Sequence, residues 1–246
     1  MTHAEQKSAS SAQGGFDLRA LFDVGLFLAF GFLIASQIPG LLAKRFKIES
    51  LALITLFTQG SFILAIWGLL AWRKYGFTHI GLRRLKDFKR SAVATIALVV
   101  FLLVLSVGTE AIGLRRDLSN FDRLKGNLPF TVFSMVFYGI LSAGFYEEIV
   151  FRGYLMHRFA DIFQRRRFGW ALAIVFQASL FGFAHLHQGT YGAIYTGCIG
   201  LLFGAFYAVG IRNLWILILA HGVYDAFRML YFYVLMTYGG LRTLAS

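Results

Sequence analysis

The sequence predicts an all-α fold: a polytopic bundle of about seven transmembrane helices, with eight as the alternative. Hydrophobic residues make up 58% of the 246 residues, and the chain has only two prolines. The mean hydropathy is +0.65, and most charged residues lie in short segments between long apolar runs. A water-soluble domain of this length is much less apolar, so we interpret the apolar runs as membrane spans.

Seven apolar runs are long enough to cross a bilayer, which takes about 20 helical residues. Residues 1–15, before the first run, are small and polar and predict a disordered tail. Residues 16–246 are expected to form a single transmembrane domain without internal repeats. The predicted spans are 16–42, 51–72, 92–114, 129–159, 168–186, 189–209 and 214–238.

Three segments have features beyond simple hydrophobicity. Residues 73–90 mix seven basic residues with apolar and aromatic ones, which predicts an amphipathic segment at the membrane surface. The fourth run is longer than a span needs, so its last turns are expected to leave the membrane as a basic helix ending at 165–167. The sixth run predicts a close-packing face for a neighbouring helix, formed by Gly192, Thr196, Gly200 and Gly204.

The chain is strongly basic, with a net charge of +12 from 24 Lys and Arg against 12 Asp and Glu. No nucleic-acid-binding motif accompanies this charge, so we predict membrane lipid rather than nucleic acid as the partner. Loops on one side of the predicted bundle contain 14 of the basic residues, and those on the other side contain eight. The positive-inside rule then places the N-terminus in the cytoplasm. We predict a multi-pass protein of the bacterial cytoplasmic membrane.

Apart from charged residues near the ends of the first and third runs, which are tolerated at the interface, ionisable residues occur in three of the apolar runs. A charge at the centre of a bilayer costs about 2.5–3.5 kcal/mol or more, so such residues are expected to face a cavity and to have partners. The fourth span contains Glu147, Glu148 and Arg152. The four-residue spacing of Glu148 and Arg152 favours an ion pair. Glu147 is then free to take a proton from water and pass it to a leaving amine.

Imidazole groups occur in two other spans. The fifth ends with Phe181 and His185, four residues apart on one face, and the seventh has His221 and Asp225 with the same spacing. Because none of these groups can face lipid cheaply, we predict that all of them turn toward one interior cavity. Counting 1.5 Å per residue places Glu147 and His185 at different depths, unless the long fourth span begins outside the membrane.

These residues resemble the CAAX-protease and bacteriocin-processing (CPBP, or Abi) family of intramembrane proteases. The family pattern EExxxR, FxxxH and Hxxx(N/D) is matched in order by Glu147, Glu148, Arg152, Phe181, His185, His221 and Asp225. The three matches fall in different predicted helices within 129–238, roughly the C-terminal half of the chain. The resemblance implies an endopeptidase that hydrolyses peptide bonds of membrane-associated peptides or membrane proteins.

The resemblance also implies a role for each residue. Glu147 with His185 would activate the attacking water. His221 and Asp225 would line the oxyanion side, while Arg152 would support the glutamates. Asp225 stands where the prenyl-protein members have Asn, and an ionised carboxylate cannot donate to an oxyanion. Asp225 would therefore be protonated or would orient His221, and maturation of a bacteriocin, another peptide or a membrane protein is as consistent with the sequence as a prenyl-protein substrate.

The family has been described both as metalloproteases and as glutamate-dependent proteases. If a metal is present, its ligands would be Glu147, His185 and His221, and zinc with an open coordination position is the candidate. The sequence lacks HExxH, so we favour water activation without a metal and predict no cofactor.

Two other functions are compatible with the same residues. In a proton-coupled transporter, the acids and histidines would form a relay, although the two halves of the chain have no paired broken helices. In a non-catalytic membrane protein of the bacteriocin-immunity type, the polar cluster would only fix the packing of the helices.

Overall fold

The computed structural model describes residues 16–46, 50–111, 119–210 and 212–242. Of the described residues, 88% are helical and none forms a strand. Seven of the described helices are long and apolar enough to cross a membrane, which confirms the predicted fold class. The predicted disordered tail, 1–15, lies outside the described residues.

The seven long helices follow the predicted spans closely. They are α1 (Leu18–Phe46), α2 (Leu51–Trp72), α3 (Phe88–Ala111), α4 (Leu128–Ile162), α5 (Arg167–Ala184), α6 (Gly189–Val209) and α7 (Leu214–Arg242). Short 3-10 turns occupy Phe77–Ile80, Ser119–Leu124 and Leu186–Gln188. The last of these turns joins α5 to α6.

Helix α4 has an unusual middle. Its two ends are α-helical, but Met135–Leu155 has the wider π-helical backbone, a form that is rare and frequently found at functional sites. At 35 residues α4 is much longer than a bilayer requires. It does not continue to 165–167 as predicted, because Gln164 and Arg165 adopt left-handed backbone conformations and turn the chain into α5.

Helices α4 and α7 make the most extensive contact in the bundle. Their backbones meet at two glycines. A Cβ atom on Gly144 would lie 2.7 Å from the carbonyl oxygen of Ile218 and 2.8 Å from the Cα atom of Gly222. No side chain fits between the helices at this point, so α4 and α7 are held at backbone contact.

Helices α5 and α6 form the second close pair. A Cβ atom on Gly200 would lie 3.0 Å from the Cα atom of Ala178, and one on Gly204 would lie 2.9 Å from Nε2 of Gln177. These two glycines therefore face α5 as the four-residue spacing predicts. Gly192 does not, since its nearest neighbour is Gln188, in the turn before its own helix.

The segment 73–90 folds onto the bundle. Ile80 is completely buried. The carbonyl oxygen of Gly81 accepts a hydrogen bond from the backbone N–H of Leu214 at 2.9 Å, and Nδ2 of Asn213 donates to the carbonyl oxygen of Arg83 at 3.0 Å. The prediction of an amphipathic surface segment is wrong for this apolar part, because its side chains and backbone close the start of α7 instead of entering lipid.

Charged side chains form a partly buried group at the same end of the bundle, here called the end cluster: Asp23, Arg73, Arg158, Asp161 and Arg165. Asp23 of α1 is 1% exposed, and its Oδ1 lies 2.7 Å from Nη2 of Arg73. Arg158 lies 3.7 Å from Asp23 and 2.6 Å from Asp161, which also pairs with Arg165. The end cluster ties α1 and the end of α2 to the end of α4.

Candidate active site

Glu148 is the most highly connected residue of the candidate site. Its side chain, on the π-helical part of α4, is 0% exposed. Its Oε1 accepts one hydrogen bond from Nη1 of Arg152 at 2.9 Å, as the four-residue spacing predicts. The same oxygen accepts a second from Nδ1 of His221 at 2.8 Å. This second bond joins α4 to α7 across 73 positions of sequence, and no local pattern predicts it.

Hydrogen-bond partners determine which nitrogen of each imidazole carries a hydrogen. A carboxylate only accepts, so Nδ1 of His221 is a donor to Glu148, and its Nε2 faces Oδ2 of Asp225 at 3.6 Å. Nδ1 of His185 lies 2.8 Å from the carbonyl oxygen of Phe181, which also only accepts. In neutral His185, Nε2 is therefore left as an acceptor.

Glu147 faces α5. Its Oε1 lies 4.0 Å from Nε2 of His185, which is too long for a direct hydrogen bond but short enough for one water molecule to contact both atoms. The two side chains are 19% and 15% exposed, so solvent reaches them. The expected difference in depth between Glu147 and His185 does not occur, because α4 is long enough to place its middle beside the end of α5.

Arg152 is held between aromatic rings. Its Cζ atom lies 4.1 Å from the ring centroid of Phe181 and 5.3 Å from that of Phe203, an arrangement in which the ring faces attract the buried charge. Phe181 therefore contributes its carbonyl oxygen to His185 and its ring to Arg152. Phe203 of α6 also meets the ring of His221 edge-on at 5.6 Å. The sequence analysis missed Phe203, because one phenylalanine among apolar neighbours gives no distinctive signal.

The candidate metal ligands were Glu147, His185 and His221. Nδ1 of His185 contacts the Phe181 carbonyl oxygen and Nδ1 of His221 contacts Glu148, so Nε2 is the nitrogen that each imidazole could offer to a metal. In the part of the chain that the structure describes, no three His, Cys, Asp or Glu side chains are arranged to hold a metal ion. Because Glu147, His185 and His221 do not form such a group among the described residues, we assign no step to a metal.

The six polar side chains singled out in the sequence form two neighbouring groups. One is Glu147 with His185, joined by the 4.0 Å contact. The other runs from Arg152 through Glu148 and His221 to Asp225. The two groups meet at the adjacent glutamates of α4, so three different helices supply one polar centre inside an apolar bundle.

A comparison with protein-family models identifies this part of the chain. Residues 129–227 match the model described as type II CAAX prenyl endopeptidase Rce1-like. This segment is similar to the Rce1-like family. The Rce1-like segment spans all three motifs, so the resemblance to the CAAX-protease and bacteriocin-processing family is confirmed. Comparisons with curated proteins and with solved structures gave no match.

The Rce1-like match bears on activity at the level of the family. It supports a CAAX-type intramembrane endopeptidase and a membrane-associated peptide as the substrate class. The seven candidate spans fit an integral membrane protein that crosses the bilayer several times.

Proposed function

We propose that the protein is an intramembrane endopeptidase in which Glu147 and His185 activate the water that hydrolyses a peptide bond of a membrane-associated peptide or protein. The observation that carries this proposal is the 4.0 Å separation between Oε1 of Glu147 and Nε2 of His185. These atoms are two hydrogen-bond acceptors in a partly solvated recess beside a fixed, buried group of charges. A water molecule is the natural species to lie between them.

The proposed hydrolysis uses one proton transfer in each direction. The water donates one hydrogen to Glu147 and one to His185, which turns an oxygen lone pair toward the substrate carbonyl carbon. As the new C–O bond forms, the proton passes to Glu147 and the carbonyl π electrons move onto the carbonyl oxygen. When the tetrahedral intermediate collapses, the C–N bond breaks and Glu147 returns that proton to the leaving nitrogen. The products are a carboxyl group and an amine.

In this proposal His221 stabilises the oxyanion. Its Nδ1 hydrogen is held by Glu148, so its Nε2 is directed to the side of Asp225. An imidazolium at this position lies between two carboxylates and has a free donor at Nε2 for the developing negative charge. Asp225 then does not itself need to donate to the oxyanion. Its Oδ2 faces Nε2 of His221 at 3.6 Å, and an amide oxygen could face that nitrogen in the same way, which fits a motif that accepts Asp or Asn.

Arg152 and Glu148 act in this proposal as positioning residues. Arg152 is completely buried, and its ion pair holds the carboxylate of Glu148 at 2.9 Å. The same carboxylate oxygen fixes the ring of His221. The pair therefore orients the proposed oxyanion donor without contacting the substrate.

Cleavage by purified protein tests the proposal. The wild type, Glu147→Gln and His185→Ala are incubated in detergent with a tagged library of membrane peptides. Gly108→Ala serves as a control, because an added Cβ atom would meet nothing within 4 Å there. We expect products from the wild type and the control, and none from the other two. Cleavage that persists in both variants would contradict the proposal, and proton-linked uptake by liposomes containing the protein would favour a transporter.

The same reaction tests the metal alternative. We expect cleavage to continue at the wild-type rate after treatment with a chelator and removal of divalent ions. Activity that is lost on chelation and restored by added zinc would contradict metal-independent activation of water and favour a metalloprotease mechanism.

A further inference from the structure

Solvent exposure in the candidate site increases toward one end of the bundle. On α7, the side chain of Asp225 is 29% exposed and that of His221, one turn nearer the start of the helix, is 9% exposed. On α4, Glu147 is 19% exposed while Arg152, nearer the end of the helix, is 0% exposed. His185 directly follows the last residue of α5. The solvent-exposed side of the site therefore faces the end of the bundle that contains the Leu186–Gln188 turn.

The start of α7 and the end of α4 lie together at the opposite end. A Cβ atom on Gly153 would lie 3.2 Å from Cδ2 of Leu214 and 3.3 Å from Cδ1 of Ile80. The guanidinium of Arg212, before α7, lies 4.9 Å from the ring centroid of Trp170 near the start of α5. The loops after α2, α4 and α6 therefore share one end of the bundle.

That opposite end is closed to a peptide. Apolar side chains fill the space between it and the site, and none of these four is more than 2% exposed: Tyr154, Leu155, Leu214 and Leu217. The end cluster lies at this end of the bundle, where the ion pairs of Asp23 and Asp161 join α1, α2 and α4. A substrate cannot reach Glu147 from this side without unfolding part of the core.

The two ends also differ in positive charge. Among the residues that the structure describes, 13 Lys and Arg lie at the closed end and five at the open end, with none in the turn Leu186–Gln188. Short loops rich in Lys and Arg remain on the cytoplasmic side of a membrane. The closed end is therefore assigned to the cytoplasm.

We propose that the site opens to the non-cytoplasmic side of the membrane, so that its substrates are peptide bonds presented from that side. Exported peptides and the outer ends of membrane proteins belong to this class, whereas lipid-modified C-termini made in the cytoplasm do not. The proposal rests on the endopeptidase function for its chemistry. Its orientation stands independently on the burial of the site and the distribution of charge.

Cysteine labelling in intact cells tests this orientation. The sequence has one cysteine, Cys198, so Cys198→Ala provides a background without thiols. Single cysteines are then introduced by His187→Cys at the open end and by Lys86→Cys at the closed end, since both positions are exposed. A third variant, Asp225→Cys, reports on the recess itself. The probe is a small, charged methanethiosulfonate reagent that does not cross membranes.

We expect His187→Cys and Asp225→Cys to react from outside the cell, and Lys86→Cys to react only after the membrane is opened. Reaction of Lys86→Cys from outside, or of Asp225→Cys only from inside or from neither side, would overturn the orientation. Each variant is first shown to elute from size exclusion like the wild type. Cleavage in detergent does not depend on orientation, so loss of the endopeptidase function and reversal of the orientation are distinguished by separate experiments.

Discussion

Glu147 and Glu148 are adjacent, but replacing each by glutamine is expected to have a different effect. Glu147→Gln should lower activity and leave stability almost unchanged, whereas Glu148→Gln should lower stability. Glu147→Gln removes the proposed base, but Glu147 is partly exposed and the nearest nitrogen of its ion-pair partner is 4.0 Å away. The free energy of unfolding of Glu147→Gln should therefore differ from that of the wild type by no more than about 0.5 kcal/mol. Glu148→Gln instead removes a charge that accepts hydrogen bonds from both Arg152 and His221 inside the core.

The expected size of each effect follows from burial. Removing one partner of a buried ion pair costs about 3–5 kcal/mol, because the remaining charge is left uncompensated, and Arg152 is 0% exposed. For a chain of this size, each kcal/mol lowers the melting temperature by roughly 2–4 °C. Glu148→Gln should therefore melt on the order of 10 °C below the wild type. Glu147→Gln should melt with the wild type but cleave about 10²–10⁴-fold more slowly, the range for losing a general acid–base group.

Both effects are measured on the same preparations. Aliquots in detergent are heated, and the folded fraction is read by size exclusion. Cleavage is followed with a fluorogenic version of a peptide selected from the library. The assignment of the two glutamates is refuted if Glu147→Gln cleaves within tenfold of the wild type, or if Glu148→Gln keeps the wild-type melting temperature.

Three further substitutions extend the test with the same two measurements. His185→Ala should lower the cleavage rate by about 10²-fold with little change in melting temperature, because its hydrogen bond to the Phe181 carbonyl oxygen is local to the end of α5; a large loss of stability would contradict this. Asp225→Asn should keep cleavage within about tenfold, whereas Asp225→Leu should lose it, since the amide still offers a polar group to His221; equal rates for the two variants would remove the proposed role. Gly144→Leu should destabilise the fold by about 1–3 kcal/mol or more, because its Cβ atom would lie 2.7 Å from the Ile218 carbonyl oxygen. Gly108→Leu is its control, with nothing within 4 Å of the added Cβ atom, and destabilisation by both would make the effect non-specific.

The helices could be predicted from the sequence because the length of an apolar run is a local property. The spans agree with the structure closely, including the long fourth one. The predicted end of α4 was wrong for a physical reason. Left-handed conformations at Gln164 and Arg165 end the helix, and neither residue is a typical turn former such as Gly or Pro. The prediction for 73–90 was wrong at Ile80, because this residue is buried against protein instead of facing lipid.

The residues of the candidate site could also be anticipated, but their partners only in part. The cost of a charge in an apolar run singles out Glu148 and Arg152, and helix spacing pairs them. The hydrogen bond from His221 to Glu148 depends on how closely α4 and α7 approach, which is set by the contact of Gly144 with Gly222. Such an approach is a tertiary property that neither spacing nor composition encodes.

The same limit applies to the end cluster. In the sequence, Asp23 is only an acid near the start of a span, where a charge is tolerated at the interface. The structure buries it against Arg73 and Arg158, from two other parts of the chain. These partners are far from Asp23 in sequence, so no local pattern predicts the ion pairs at the closed end of the bundle.

Phe181 has two attachments that are chemically unrelated. Its backbone oxygen determines which imidazole nitrogen of His185 can receive a proton, while its π face shields the positive charge that anchors Glu148. Leucine at this position would preserve the first attachment and abolish the second. The four-residue spacing of Phe181 and His185 therefore links the protonation of a histidine at the end of α5 to the charge balance of α4, through one buried residue.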